Sequence, residues 1–173
     1  LVDRIIDAHP LAGAVGEFTG IEHFAARLQT ATYPRLPVPE CFGSMQSPQW
    51  KAEGERYVER LRRLMPDAQR VVNKSLMNAN LLGLIARLLP GSRVIHVLRD
   101  PRDVAISCHF GRFRTEAIPY ASRLEWVAAA WRDHDRLMAH WKAKDPKHSD
   151  SLKVSPAPRS TPSLLLPSPQ HAL

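Results

Sequence analysis

Arg93-Val94-Ile95-His96-Val97-Leu98-Arg99-Asp100-Pro101-Arg102-Asp103-Val104-Ala105-Ile106-Ser107 reads as a strand that runs directly into a helix, and this junction decides the fold. The first six residues are rich in β-branched side chains, which suit a pleated, half-buried surface. Asp100 and Pro101 then follow. A carboxylate suits the N-cap, and proline suits the first helical position because its missing N–H would find no partner there. A strand is therefore predicted over 93–98 and a helix over 101–110. Upstream, a strand is predicted over 70–73 and a helix over 80–89, closed by Pro90 and Gly91. Strand, helix and strand at this spacing make a βαβ unit with a parallel pairing.

Further out, residues 1–9 read as a helix stopped at Pro10, and Gly13 and Gly16 mark a turn that delivers Glu17. A short helix is predicted over 21–29. Pro34, Pro37 and Pro39 make 33–48 a loop, and a charged helix comes next over 50–65, with Glu59 and Arg63 as a favourable i,i+4 pair. A last helix is predicted over 122–141, opened by a capping box of Ser122 and Glu125 and carrying Leu124, Val127, Ala128, Trp131, Leu137, Met138 and Trp141 as an apolar stripe. Residues 142–173 hold six prolines and six serines without a glycine or aromatic, the composition of a disordered tail. No internal repeat is visible.

A chain of 173 residues with 44% hydrophobic content can bury one ordinary core. Its net charge of +7 favours anionic partners without choosing among phosphorylated small molecules, nucleic acid and acidic protein. Cys41 and Cys108 form neither a disulfide framework nor a metal spacing, so free thiols in a reducing compartment are expected. No apolar run is long enough for a membrane span and no signal peptide opens the chain, which points to a cytoplasmic location. Leu1 opens an apolar helical pattern with no N-cap before it, so the natural N-terminus is expected to lie further upstream.

Ligands of open parallel sheets bind where strand ends meet helix starts, because unpaired helix N–H groups there face an anion. Two such junctions are expected. One presents Asn73, Lys74 and Ser75, and the other presents Arg99. Ser107 lies seven residues past Asp100, two helical turns on, so its hydroxyl returns to the same helix face and can share an anion with Arg99.

The stretch from Val94 to Ser107 resembles the 3′-phosphate-binding motif of sulfotransferases, in which an arginine after a strand and a serine eight residues later bind the 3′-phosphate of the nucleotide. Lys74 stands in an Asn-Lys context 25 residues before Arg99, as in bacterial members and the similar protein-tyrosine sulfotransferases. The order of the first helix, His9-Pro10 and Gly16-Glu17 is similar to the segment downstream of the family's phosphate-binding loop. The resemblance implies an α/β, P-loop-NTPase-like three-layer fold with a central parallel sheet flanked by helices, incomplete because the phosphate-binding loop would precede Leu1. It implies a partial sulfotransferase domain over 1–141 and a Pro/Ser-rich, disordered or aberrant tail over 142–173, where a further strand and an acidic segment are not found. The implied activity is sulfuryl transfer from 3′-phosphoadenosine-5′-phosphosulfate (PAPS), as co-substrate and without a metal, to a hydroxyl or amine on a small-molecule or protein acceptor. Glu17 would be the general base, Lys74 the stabiliser of the leaving group, and Arg99 and Ser107 the nucleotide-binding pair. Without its loop the fragment would bind donor weakly and turn over poorly. Residues 33–48 and 112–120 would shape the acceptor pocket.

Plainer readings stand beside these. A glutamate in a glycine turn is usually solvated surface, a strand-end lysine is routine, and Arg99 could pair with Asp100 or Asp103. His96 reads as a satisfied core or near-site histidine, and Cys108-His109 and His134-Asp135 lack partners at metal spacing. Trp126, Trp131 and Trp141 suit a core or interface better than a stacking platform, and Arg112 and Arg114 suit solvent as well as nucleotide. The rival function is a non-catalytic binder of anionic nucleotide or nucleic acid, and a P-loop kinase would share the architecture without requiring Arg99 and Ser107 at this spacing.

Overall fold

The structure, a computed structural model, describes residues 1–111, 118–144 and 149–153. In chain order its elements are α1 (Val2–Asp7), β1 (Ala12–Ala14), α2 (Gly20–Ala31), α3 (Ser47–Leu64), β2 (Arg70–Val72), α4 (Leu82–Leu88), β3 (Val94–Leu98), α5 (Pro101–Phe110), α6 (Leu124–Lys144) and β4 (Ser149–Lys153), with 3₁₀ turns at Glu40–Ser44, Leu76–Leu81 and Pro119–Ser122.

Where local chemistry decides, the elements agree with the sequence. The Asp100 side chain accepts from the Arg102 amide at 2.8 Å and caps α5, and Pro101 occupies the first turn. The i,i+4 pair of α3 forms, with Arg63 Nε donating to Glu59 at 3.1 Å. Four expectations change. Ser122 does not cap α6: its hydroxyl donates to the Pro119 carbonyl at 2.8 Å, closing the preceding 3₁₀ turn, and α6 begins at Leu124. The helix expected over 80–89 is divided, because the Ser75 hydroxyl accepts from the Met77 amide at 3.2 Å and starts a 3₁₀ turn before α4. Part of the glycine turn after Pro10 is the short strand β1. A strand also forms after Trp141, in β4, although the tail's composition carries no strand signal.

Pairing differs as well. β2 does not pair with β3. It pairs in parallel with β1, in the register Ala12 with Arg70, Gly13 with Val71 and Ala14 with Val72. β3 pairs in parallel with β4, Val94 with Ser149 through Leu98 with Lys153. The parallel α/β character stands, but among the described residues there are two two-stranded sheets and not one central sheet. Residues 112–117, with Arg112 and Arg114, and residues 145–148 and 154–173 of the expected tail lie outside the described residues.

The main core joins α2, α3 and α4. Ile21, Phe24, Ala25 and Leu28 meet Trp50 and Tyr57 of α3 and Leu84 and Leu88 of α4, with Cys41 fully buried between. Trp50 packs edge-to-face with Phe24 and Phe42 at centroid separations of 5.9 and 6.1 Å, the T-shaped packing that aromatic quadrupoles favour. Cys41 and Cys108 are free thiols. Of the three tryptophans of α6, Trp141 rests against Gly83, whereas Trp126 is 48% exposed beneath the Arg123 guanidinium. No helix among the described residues is long and apolar enough to cross a membrane.

Between β3 and α6, His96 Nε2 and His134 Nε2 lie 3.1 Å apart. Burial, and then the adjacent His134, holds His96 below the ordinary imidazole range; Lys142 adds to the depression and Asp135 opposes it. A depressed histidine favours the fold above its unfolded value of about 6.5, and that contribution is lost as pH falls through the folded value. Thermal denaturation followed from about pH 7 to about pH 5 is expected to show stability falling toward acid, by a fraction of the ~1.4 kcal/mol per pH unit that one proton allows, since the site is half open to solvent. His96→Gln is expected to flatten that slope, and an unchanged slope would show that other groups set it.

Candidate active site

The first strand-to-helix junction is built by the β1–β2 ladder. Its hydrogen bonding continues past the strands, with the Val15 amide donating to Val72 at 3.0 Å and the Lys74 amide donating to Gly16 at 2.9 Å. Gly16 takes φ of 61°, in the left-handed region where a Cβ costs roughly 1–2 kcal/mol, and there the chain turns away from the sheet. Glu17 and Lys74 are thereby delivered side by side at the carboxyl ends of two parallel strands, and the Lys74 ammonium donates to Glu17 Oε1. Both remain open, with side-chain exposures of 63% for Glu17 and 48% for Lys74. An exposed pair of this kind adds only about 0–1 kcal/mol to stability. The pairing therefore matters little to the fold and leaves both groups reachable by a ligand.

The residues around Lys74 are tied down more firmly. Asn73 Nδ2 donates to the Phe18 carbonyl at 2.9 Å and to the Tyr57 hydroxyl at 2.8 Å, and the Ser75 hydroxyl donates to Glu22 at 2.7 Å. Tyr57 is 7% exposed, and burial raises its phenol above the ordinary range. Nothing in the sequence singles out Tyr57 or Glu22. Tyr57 reads there as one more apolar position seven residues after Trp50, and only its hydroxyl hints at a polar partner.

At the second junction Arg99 ends β3 and Ser107 lies on α5, both exposed. Arg102 folds back on Asp100 with two hydrogen bonds, Nε to Oδ1 at 3.0 Å and Nη2 to Oδ2 at 2.7 Å. These bonds, with the Arg102 amide, hold the Asp100 carboxyl down at about 2. Asp100 is thus taken and does not hold Arg99. Arg99 Nε stands 3.9 Å from Asp103 Oδ2, outside hydrogen-bond reach, and that buried oxygen has no hydrogen-bond partner among the described residues. The Ser107 hydroxyl likewise has no partner among the described side-chain hydrogen bonds, while its carbonyl accepts from Gly111 at 2.8 Å. So Glu17 and Lys74 are in contact, whereas Arg99 and Ser107 stand on adjoining elements without touching each other. Among the described residues, no group of three or more histidine, cysteine or acidic side chains is placed to hold a metal.

A sequence model described as the sulfotransferase family matches residues 1–151. The chain belongs to the sulfotransferase family. The match runs past Trp141 to the middle of β4. An uncharacterized protein of Aquifex aeolicus (strain VF5) is 26% identical over 147 residues, covering 82% of this chain and 19% of its own length. The chain thus spans about a fifth of the length of that curated relative. No solved structure matches the chain.

Proposed function

We propose that the chain carries the acid–base and 3′-phosphate-binding residues of a PAPS-dependent sulfotransferase acting on a hydroxyl or amine of a small-molecule or protein acceptor. The observation that carries this reading is the meeting of Glu17 and Lys74, 57 residues apart in sequence, at the carboxyl end of a parallel strand pair. Ligands of open parallel sheets bind at that end. The proposed fold is P-loop-like: each sheet is parallel, and among the described residues β2 and β3 each keep one unpaired edge, where a further parallel strand could join the two.

In the proposed reaction the acceptor's O–H or N–H proton passes to Glu17 as its lone pair attacks sulfur. The new bond to sulfur forms as the bond from sulfur to the bridging phosphate oxygen breaks, in line, and adenosine 3′,5′-bisphosphate leaves with the electron pair. Such a transfer asks the protein mainly to position groups and to stabilise charge on the departing oxygen. Lys74, a compact cation with three donors, supplies that stabilisation. In the free protein the same ammonium occupies Glu17. Because the pair is exposed, moving Lys74 onto the bound sulfuryl group forfeits at most about 1 kcal/mol and frees the carboxylate to take the proton. Arg99 and Ser107 would grip the 3′-phosphate, Arg99 being free of any hydrogen bond to Asp103 or Asp100 that it would have to give up.

The test is protection against heat. Adenosine 3′,5′-bisphosphate is expected to raise the melting temperature more than adenosine 5′-monophosphate at equal concentration, since a ligand at 100 times its Kd adds about 2.7 kcal/mol to stability. Arg99→Ala is expected to remove the difference, since a charge-assisted hydrogen bond is worth roughly 1.5–3 kcal/mol. Equal protection by both nucleotides would refute 3′-phosphate recognition and favour a general anion binder.

A further inference from the structure

We infer that Asn73, anchored by Tyr57, is the positioning residue that sets Lys74 against Glu17, an inference that rests on the reading above for its catalytic consequence. Asn73 immediately precedes Lys74, and Phe18 immediately succeeds Glu17. The hydrogen bond from Asn73 Nδ2 to the Phe18 carbonyl therefore joins the two stretches of backbone that carry the reacting side chains. It does so where the sheet can no longer help, because the ladder ends with the Lys74 amide on Gly16 and the chain turns off at the left-handed Gly16. The orientation of the amide is dictated by its partners: a backbone carbonyl only accepts, so the nitrogen must face Phe18. Its second N–H then reaches the Tyr57 hydroxyl.

Tyr57 makes this a rigid clamp. It belongs to the main core on α3, and its ring packs on Phe18 at a centroid separation of 5.9 Å. A Cβ at Gly20 would come within 2.6 Å of the Phe18 ring and 2.9 Å of the Tyr57 ring, so the three are close-packed. On the other side of Lys74, Ser75 is bonded to Glu22 of α2. The long, flexible lysine thus springs from a backbone held on both flanks by helices of the core, the arrangement that keeps a reacting group within the narrow tolerance that catalysis demands. The nearby hydrogen bonds serve geometry, and neither Asn73 nor Tyr57 touches the reacting atoms.

The test uses Tyr57→Phe, which keeps the ring and removes one acceptor, together with Asn73→Asp, which replaces both donors. Labelling of Lys74 by an amine-reactive succinimidyl ester, followed by peptide mass spectrometry with Lys51 and Lys142 as internal references, reads the Glu17 contact without any assumption about activity. Lys74 labelling relative to the references is expected to rise in Tyr57→Phe, and at least as much in Asn73→Asp, up to about fivefold, the most that loss of an exposed ion pair allows. The rate of sulfuryl transfer is expected to fall by a similar factor with KM unchanged, while protection by adenosine 3′,5′-bisphosphate persists. Unchanged relative labelling in a folded Tyr57→Phe protein overturns the clamp. Raised labelling in a protein whose wild type is protected equally by adenosine 3′,5′-bisphosphate and adenosine 5′-monophosphate keeps the clamp and sinks the sulfotransferase reading instead. Should Asn73→Asp fail to fold, Tyr57→Phe alone decides.

Discussion

Gly54→Ala lowers the melting temperature by roughly 5–10 °C in a circular-dichroism melt, the largest stability loss expected from adding a single methyl group to this chain. Gly54 is buried on α3 where that helix crosses the end of α4, and a Cβ there would lie 2.2 Å from the Leu88 carbonyl oxygen. Two effects compete. Alanine in a helix interior is favoured over glycine by about 1 kcal/mol. Against that, the obstructing atom is main chain and cannot rotate aside, so α4 would have to move bodily and carry Leu84 and Leu88 away from Trp50 and Tyr57. Overpacking of this kind costs about 1–3 kcal/mol and occasionally more, and a backbone clash lies at the upper end. A net loss of about 2 kcal/mol or somewhat more corresponds to the stated shift for a chain of this size. A melting temperature equal to or above that of the wild type would show that the two helices have slack the close approach conceals.

Lys74→Ala is expected to slow sulfuryl transfer by about 10²- to 10³-fold, measured as single-turnover transfer of labelled sulfuryl group with protein in excess over PAPS. The same substitution is expected to change stability by less than about 1 kcal/mol, because the ion pair with Glu17 is exposed on both sides. That separation of effects is what distinguishes a reacting group from a structural one. Glu17→Gln should cost about 10²- to 10⁴-fold for loss of the proton acceptor, again with little change in melting temperature. Lys74→Arg is expected to restore only part of the rate, since a planar fork cannot place its charge on the bridging oxygen as a compact ammonium does. Full activity in Lys74→Ala would remove this residue from the reaction.

Several features are legible in the chain itself because they are local. Asp100 and Pro101 specify the start of α5 through contacts within two residues, and the structure forms that cap. The Glu59–Arg63 pair sits one helical turn apart and forms for the same reason. Locality also misleads: Ser122 and Glu125 have the spacing of a capping box, but Pro119 draws the chain into a 3₁₀ turn whose carbonyl takes the hydroxyl first. β1 is hidden because Ala12, Gly13 and Ala14 have no intrinsic strand preference; only the edge of β2 makes them a strand.

The candidate site divides along the same line. The spacing of Arg99 and Ser107 and the position of Lys74 in its Asn-Lys context are properties of the sequence alone, as is the turn chemistry that exposes Glu17. Which strands pair, that Lys74 meets Glu17, and that Asn73 is held by Tyr57 were decided only in three dimensions. Strands of three residues carry too little local free energy to choose their neighbours, and a hydrogen bond across 16 or 55 positions forms only once the core of α2, α3 and α4 has brought its partners together.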